Sequence, residues 1–252
     1  MKRALVIVSK TLNRNTLKYY SDIFSNETIY FVSPEKDDYL DNFKNVIYKK
    51  DNFFLKREKY PLIEKTFRPN WYYQQFLKYA IVLNLDYDLI HIVDGDSYVR
   101  KDIIFEESIY YTSKKIENNY SDFISMVNNG RNNYSDKNYI TNQMCFNKSK
   151  LSDLLNKVTN NHKSWVNFFC EFLIKKTDYW LSEYQLYADY VLTNELSKEK
   201  VTKVFRRFDF INDSLKNGFI KYSVLAEEPQ HKSGLLRKFR AVIYYRFKKN
   251  LG

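Results

Sequence analysis

Leu89-Ile-His-Ile-Val-Asp94-Gly-Asp96-Ser97 decides how this chain is read. An almost wholly apolar run of five residues is the pattern of a strand buried on both faces, as in a parallel sheet. Here it runs straight into two carboxylates. Residues two apart on extended chain point the same way, so Asp94 and Asp96 leave the carboxyl edge of a sheet together. That edge is where open α/β sheets bind their ligands. Gly95 lets a ligand approach the backbone between them. Two hard oxygen donors suit Mg²⁺ or Mn²⁺ held jointly by the protein and a diphosphate, and burying so much like charge with no cation is costly. The plain alternative is an Asp-Gly surface turn. A hairpin, however, needs a second matching strand, and none follows.

Working outward, the first half alternates strand and helix signals, which predicts an α/β fold with a mainly parallel central sheet flanked by helices. Ala4 to Val8 reads as a buried first strand opening into Ser9, Lys10 and Thr11, Leu17 to Phe24 as a short helix, and Thr28 to Val32 and Val46 to Tyr48 as further strands. After Arg68-Pro69, Asn70 is a plausible N-cap for a helix over Trp71 to Leu83. Beyond the carboxylate pair, Asp122 to Val127 reads as a strand and Ile140 to Phe146 as a segment of alternating character. Leu151 to Val158, Trp165 to Ile174 and Ser182 to Leu196 read as helices, Val201 to Ile211 as a return to the sheet, and Tyr222 to Ala226 as a late short strand. The expected division is one catalytic domain over 1–234 and a basic amphipathic C-terminal helix over 235–252.

Composition narrows the class. At 252 residues and 30.6 kDa the chain is long enough for a full-sized core, and 44% hydrophobic with 28% charged residues is a globular balance. No run is apolar and long enough to span a bilayer. The short apolar stretch after Lys2 and Arg3 reads as a strand rather than a secretory signal. Cys145 and Cys170 lack CxxC spacing and sit in apolar surroundings, so a reducing, cytoplasmic setting is expected. Net charge is +11, and seven of those charges lie after His231 in a stretch with no acid. The 23 tyrosines and 19 phenylalanines suit base stacking but read more simply as the codon output of an AT-rich genome.

Three segments in order carry a resemblance: Trp71-Tyr-Tyr-Gln-Gln-Phe-Leu-Lys78, Ile90 to Ser97, and Ser182-Glu-Tyr-Gln-Leu-Tyr187. Together they resemble a bacterial glycosyltransferase family of the GT-A fold, Rossmann-related, with a DxD motif and a place in surface-polysaccharide (O-antigen or capsule) gene clusters. The likeness covers roughly residues 4 to 231. It implies a cytoplasmic enzyme that uses Mn²⁺ or Mg²⁺ and a nucleotide-sugar donor, most simply a UDP-sugar, and a glycan or glycolipid acceptor. On this likeness Asp94 holds the donor ribose or the metal, and Asp96 ligates the metal. Ser9, Lys10 and Thr11 lie by the base and ribose, and Asn142 and Gln143 meet sugar hydroxyls. Lys78 either reaches the donor or is a solvated helix lysine. Gln74 and Gln75, adjacent on a helix, do not both face the site. Glu183, in the first turn of a helix capped by Ser182, is either the general base of an inverting displacement or a helix-start preference. His231, in His-x-x-Gly, completes the metal shell or is a surface residue; imidazole there favours Mn²⁺.

Two other classes fit less well. A haloacid-dehalogenase-like phosphatase also carries DxD after an apolar strand, but wants Thr or Val where Tyr98 stands and places the motif on the first strand. Nucleic-acid binding needs a stacking motif or basic helix within the fold, and no such partner is expected. From Leu235 the apolar residues fall near helical spacing with Arg and Lys over the remaining surface, which predicts docking on the anionic inner face of the cytoplasmic membrane.

Overall fold

The run Ala4–Val8 lies at the middle of a five-stranded sheet, with every side chain buried. The computed structural model describes residues 1–127, 136–159, 164–176, 178–202, 204–207 and 224–227. In chain order the elements are β1 (Arg3–Val8), α1 (Arg14–Ile23), β2 (Ile29–Ser33), β3 (Val46–Lys50), α2 (Asp51–Phe54), α3 (Pro69–Asn84), β4 (Leu89–Asp94), β5 (Ser97–Val99) and β6 (Ile109–Lys115). There follow α4 (Asn118–Val127), β7 (Lys137–Asn138), β8 (Gln143–Asn147), α5 (Lys148–Thr159), α6 (Trp165–Lys175), α7 (Glu183–Thr193), β9 (Glu199–Val201), β10 (Val204–Arg207) and β11 (Val224–Glu227).

The central sheet has the order β3-β2-β1-β4-β8. Its first four strands are parallel and β8 runs antiparallel to β4, so it is mixed but mainly parallel. Strand alternation divides the core between its two faces. Ala4, Val6 and Val8 pack with Ile90, Ile92 and residues of α3, α5, α6 and α7. Leu5 and Ile7 turn the other way, against Leu17 and Tyr20 of α1 and Val93. Each such aliphatic side chain, once buried, contributes about 1.5–3 kcal/mol.

Several expectations are corrected. Asp122 to Val127 is the end of α4, not a strand: Tyr120, Phe123, Ile124 and Val127 repeat at helical spacing, and Phe123 and Ile124 are buried. The cap of α3 is Arg68, with Pro69 in the first turn, and Asn70 instead accepts a hydrogen bond from Arg57 at 2.9 Å. The late strands do not return to the central sheet. They form a small sheet of order β10-β11-β5, so the chain leaving the carboxylate pair starts a second layer. A third, β7-β6-β9, uses the strand at Ile109–Lys115 that periodicity did not reveal. Cys145 and Cys170 are free and buried, as core residues. Residues 235–252, and with them the expected C-terminal helix, lie outside the described residues.

His91, fully buried in β4, accepts the Phe105 backbone N–H on Nδ1 at 3.2 Å, holding Phe105 at φ 67°. Its proton then sits on Nε2, on the side of the Gln143 side chain, which partly offsets the effect of burial. Burial pushes the imidazole pKa down from 6.5 to about 3. Only the unfolded chain takes up this proton between those values, so the stability the neutral ring provides is complete above pH 6.5 and is lost as pH falls toward 3. Between pH 7 and pH 5 this amounts to about 2 kcal/mol. His91→Gln, which keeps an acceptor for Phe105, should lose about that much less stability than wild type over the same interval in urea unfolding. Equal losses in both proteins would refute the assignment.

Candidate active site

The carboxylate pair stands where β1 and β4 end level, Val8 opposite Asp94. The Gly95 N–H donates to Val8 O at 3.0 Å, and the Asp94 N–H donates to Asn142 O at 3.0 Å. Asn142 itself has φ 62°, a left-handed conformation that asparagine tolerates. A Cβ on Gly95 would lie 2.3 Å from Ser9 Cβ and 2.5 Å from Ser9 Oγ. The glycine is therefore required by Ser9, just past the end of β1. Beyond the turn, α1 holds β5: the Tyr20 hydroxyl donates to Ser97 O at 2.8 Å and accepts from the Val99 N–H at 2.9 Å, while Tyr19 donates to Val99 O at 2.8 Å.

Behind Asp94 lies a buried charge cluster. The Lys78 amine, from the middle of α3, donates to Asp94 Oδ1 at 2.6 Å, to Glu183 Oε1 at 2.6 Å and to the Tyr184 hydroxyl at 3.0 Å. Tyr184 in turn donates to the same Asp94 Oδ1 at 3.1 Å. Side-chain exposure falls from 28% at Asp94 through 7% at Lys78 to 1% at Glu183, so Glu183 is innermost. Burial opposes the Lys78 charge, but Asp94 and Glu183 outweigh it and hold the ammonium well above its ordinary pKa. Burial likewise raises the Glu183 carboxyl, with Lys78 pulling it back. The Ser182 hydroxyl caps α7 by accepting from the Gln185 N–H at 3.4 Å, and Tyr79 donates to Glu183 O at 2.7 Å. Both contacts fix where the carboxylate starts.

The fold thus brings Asp94, Asp96, Lys78, Glu183 and Ser9 to one sheet edge. Lys78, at 5% exposure, is not a solvated helix lysine. Lys10 and Thr11 are exposed beside it, and Ser9 Oγ donates to Thr11 O at 2.6 Å. A cavity of about 170 Å³ lies between Ser9, Ser33, Asn70, Tyr73 and Gln74, and a more open one of about 690 Å³ lies outside it, between Lys10, Arg14, Lys36 and Tyr39. Gln74 lines the smaller cavity while Gln75 is buried, so the adjacent glutamines do take different surroundings. Gln143, expected to meet a sugar hydroxyl, is 1% exposed in β8, opposite Val93, with its amide donating to Thr141 Oγ1 at 3.5 Å. Asn142 contributes its backbone carbonyl. His231 lies outside the described residues. Tyr184 was missed as a site residue, although it adjoins Glu183 in the segment already singled out.

The donor set suits a hard divalent cation. Both side-chain donors to Asp94 end on Oδ1, so Oδ2 takes no part in that network. Burial and the adjacent Asp94 charge push the Asp96 carboxyl up to about 6, the strain of two crowded carboxylates that a cation relieves. Among the described residues no group of three or more metal-ligating side chains occurs.

No family model matches the chain, and no curated protein matches it. Among solved structures, the glycosyltransferase GlyE of Streptococcus pneumoniae TIGR4 is similar over 94% of this chain and 60% of that one, at 12% sequence identity and a TM-score of 0.44. The chain therefore spans about 60% of the length of that protein. Among the described residues no helix is long and apolar enough to cross a membrane.

The contact at Gly95 gives a direct test. Gly95→Ala should destabilise by about 1–3 kcal/mol, the usual size of a forced overlap. Ser9→Gly in the same chain removes both overlapping atoms and leaves only Ser9 Cα, at 3.4 Å, so the double variant should recover most of the loss. Additive losses in thermal unfolding would refute the contact.

Proposed function

We propose that this chain is a divalent-metal-dependent glycosyltransferase that moves a sugar from a nucleotide-sugar donor, a UDP-sugar, to a glycan acceptor. What carries the proposal is the Asp94-Gly95-Asp96 turn, set at the carboxyl end of β4 and held there by β1, β8 and the buried Lys78 amine. Asp94 Oδ2 and Asp96 are the oxygens for Mn²⁺ or Mg²⁺, and a bound cation would supply charge stabilisation for a leaving diphosphate. Lys10 borders both cavities, Thr11 the larger and Ser9 the smaller, and the smaller one, with its amide and hydroxyl lining and about 170 Å³, suits a nucleobase. The resemblance of three ordered segments to the GT-A family points the same way.

Thermal unfolding with UDP, GDP or CMP, with and without Mn²⁺, tests this. At a ligand concentration of 100 Kd, binding adds about 2.7 kcal/mol, which for a chain this long is a rise in Tm of about 5–10 °C. UDP with Mn²⁺ should produce that rise, neither alone should match it, and Asp96→Asn should abolish the metal-dependent part. If no nucleotide gives a metal-dependent rise, the proposal fails; turnover of a generic phosphate ester would promote the phosphatase class instead.

The acceptor is a lipid-linked intermediate of surface-polysaccharide synthesis, reached from the cytoplasmic face of the membrane. The basic stretch after Gly234 supports this: its Lys and Arg each add on the order of 1 kcal/mol near an anionic bilayer. A chain ending at Gly234 should keep its fold but lose flotation with phosphatidylserine-containing vesicles, while the full chain floats. Equal flotation of both would remove the membrane role.

A further inference from the structure

The cluster behind Asp94 uses up every proton that Lys78 has. An ammonium donates three hydrogen bonds, and here all three go to protein atoms: Asp94 Oδ1, Glu183 Oε1 and the Tyr184 hydroxyl. The amine has none left for a donor phosphate. Glu183 is 1% exposed, and its inner oxygen, Oε2, has no hydrogen-bond partner among the described residues. A base must come within hydrogen-bond reach of the hydroxyl it deprotonates, and Glu183 instead stands one residue deeper than the lysine that separates it from Asp94.

We infer that Glu183, Lys78 and Tyr184 are positioning residues that hold Asp94 by Oδ1 and thereby present Oδ2 to the cation, and that Glu183 is not the general base. This rests on Asp94 and Asp96 being the metal-binding pair. The charge count gives the sign. With both carboxylates ionised, Asp94, Lys78 and Glu183 together carry one net negative charge. Lys78 alone would neutralise Asp94 and repel a cation next to it, and Glu183 offsets that. It also fixes the amine, accepting one of its three protons at 2.6 Å. Tyr184 adds a second donor on the same oxygen, its ring packed against Phe146 at 6.2 Å between centroids.

The test reads Mn²⁺ binding by the free chain, with neither donor nor acceptor present, from the electron paramagnetic resonance signal of unbound Mn²⁺. Wild type should bind Mn²⁺, and Glu183→Gln, which brings the cluster to zero net charge, should weaken binding about tenfold or more. Adding Lys78→Met to that variant restores one net negative charge but removes the amine that holds Asp94, so it should recover part of the affinity and not all of it. A purely structural role would not give that rescue. Tyr184→Phe keeps the ring packing and should weaken binding about two- to fivefold, which keeps the test open if Glu183→Gln fails to fold. Wild-type affinity in Glu183→Gln, or in Tyr184→Phe where the former is unfolded, overturns the inference, as does a double variant no better than the single. Absence of Mn²⁺ binding by wild type overturns the metal-site reading itself, a result distinct from these.

Discussion

A lysine ammonium kept charged in the interior sets the terms for everything around it. Lys78 is 5% exposed, and an unpaired cation at that depth would simply lose its proton. It keeps the proton because two carboxylates from other parts of the chain come to it, Asp94 from the end of β4 and Glu183 from the start of α7. Three elements are thereby tied at one atom. Such a tie is not an economical source of stability: replacing a whole buried ion pair by apolar residues is often neutral or better, whereas removing one partner costs about 3–5 kcal/mol. Stability alone gives no reason for the cluster. Its consequence for Asp94, one oxygen held by two donors and the other left out of the network, gives one.

The rest of the site follows from strand ends. β4 runs between a parallel neighbour and an antiparallel one, so Asp94 ends a strand held on both sides, with Val8 opposite it and the Asn142 carbonyl, just before β8, accepting its N–H. The close pass of Gly95 over Ser9 sets the turn, and the Tyr20 hydroxyl, bonded to both Ser97 and Val99, holds the exit. Inner parts of the site are thus built on regular elements, which hold geometry more tightly than loops do. Lys10, Thr11 and the wider cavity lie outside, where the chain is exposed.

Much of this was legible before the coordinates. β1, β2 and β4 are apolar runs because both faces of the sheet are covered, and α7 announces itself through the Ser182 cap. α4 was misread because Asp122 to Val127 taken alone is rich in strand formers, and its helical repeat only becomes visible when Tyr120 is included. β6, Ile109–Lys115, mixes Tyr, Thr, Ser and Lys and pairs with short strands from distant parts of the chain, so it carries no periodicity of its own. In the site, Asp94, Asp96, Lys78 and Glu183 were each recognisable as chemistry. Their joining was not, since Lys78 and Glu183 are 105 residues apart and only the fold decides which protons an amine spends. At Gly95 the obstacle to a Cβ is the Ser9 side chain, and sequence gives no sign of that long-range contact.

Composition also acquires a physical meaning. Abundant tyrosine reads from sequence as codon bias, and bias can supply the residues without deciding where they go. In the fold, Tyr20, Tyr79, Tyr184 and Tyr187 are all under 3% exposed, and each hydroxyl is spent on another element: Ser97 and Val99, the Glu183 carbonyl, Asp94, and the Asn147 N–H. Phenylalanine would fill the same volume and take one partner from each of those groups, at about 1–3 kcal/mol wherever a buried group is left orphaned. The tyrosines therefore do two jobs at once. Their rings provide the apolar bulk between sheet and helices, and their hydroxyls fasten β5, α7 and β8 at fixed distances from the carboxylate pair. A core so built is less tolerant of aromatic exchange than its hydrophobicity implies, and the intolerance is concentrated where the chain must hold two like charges side by side.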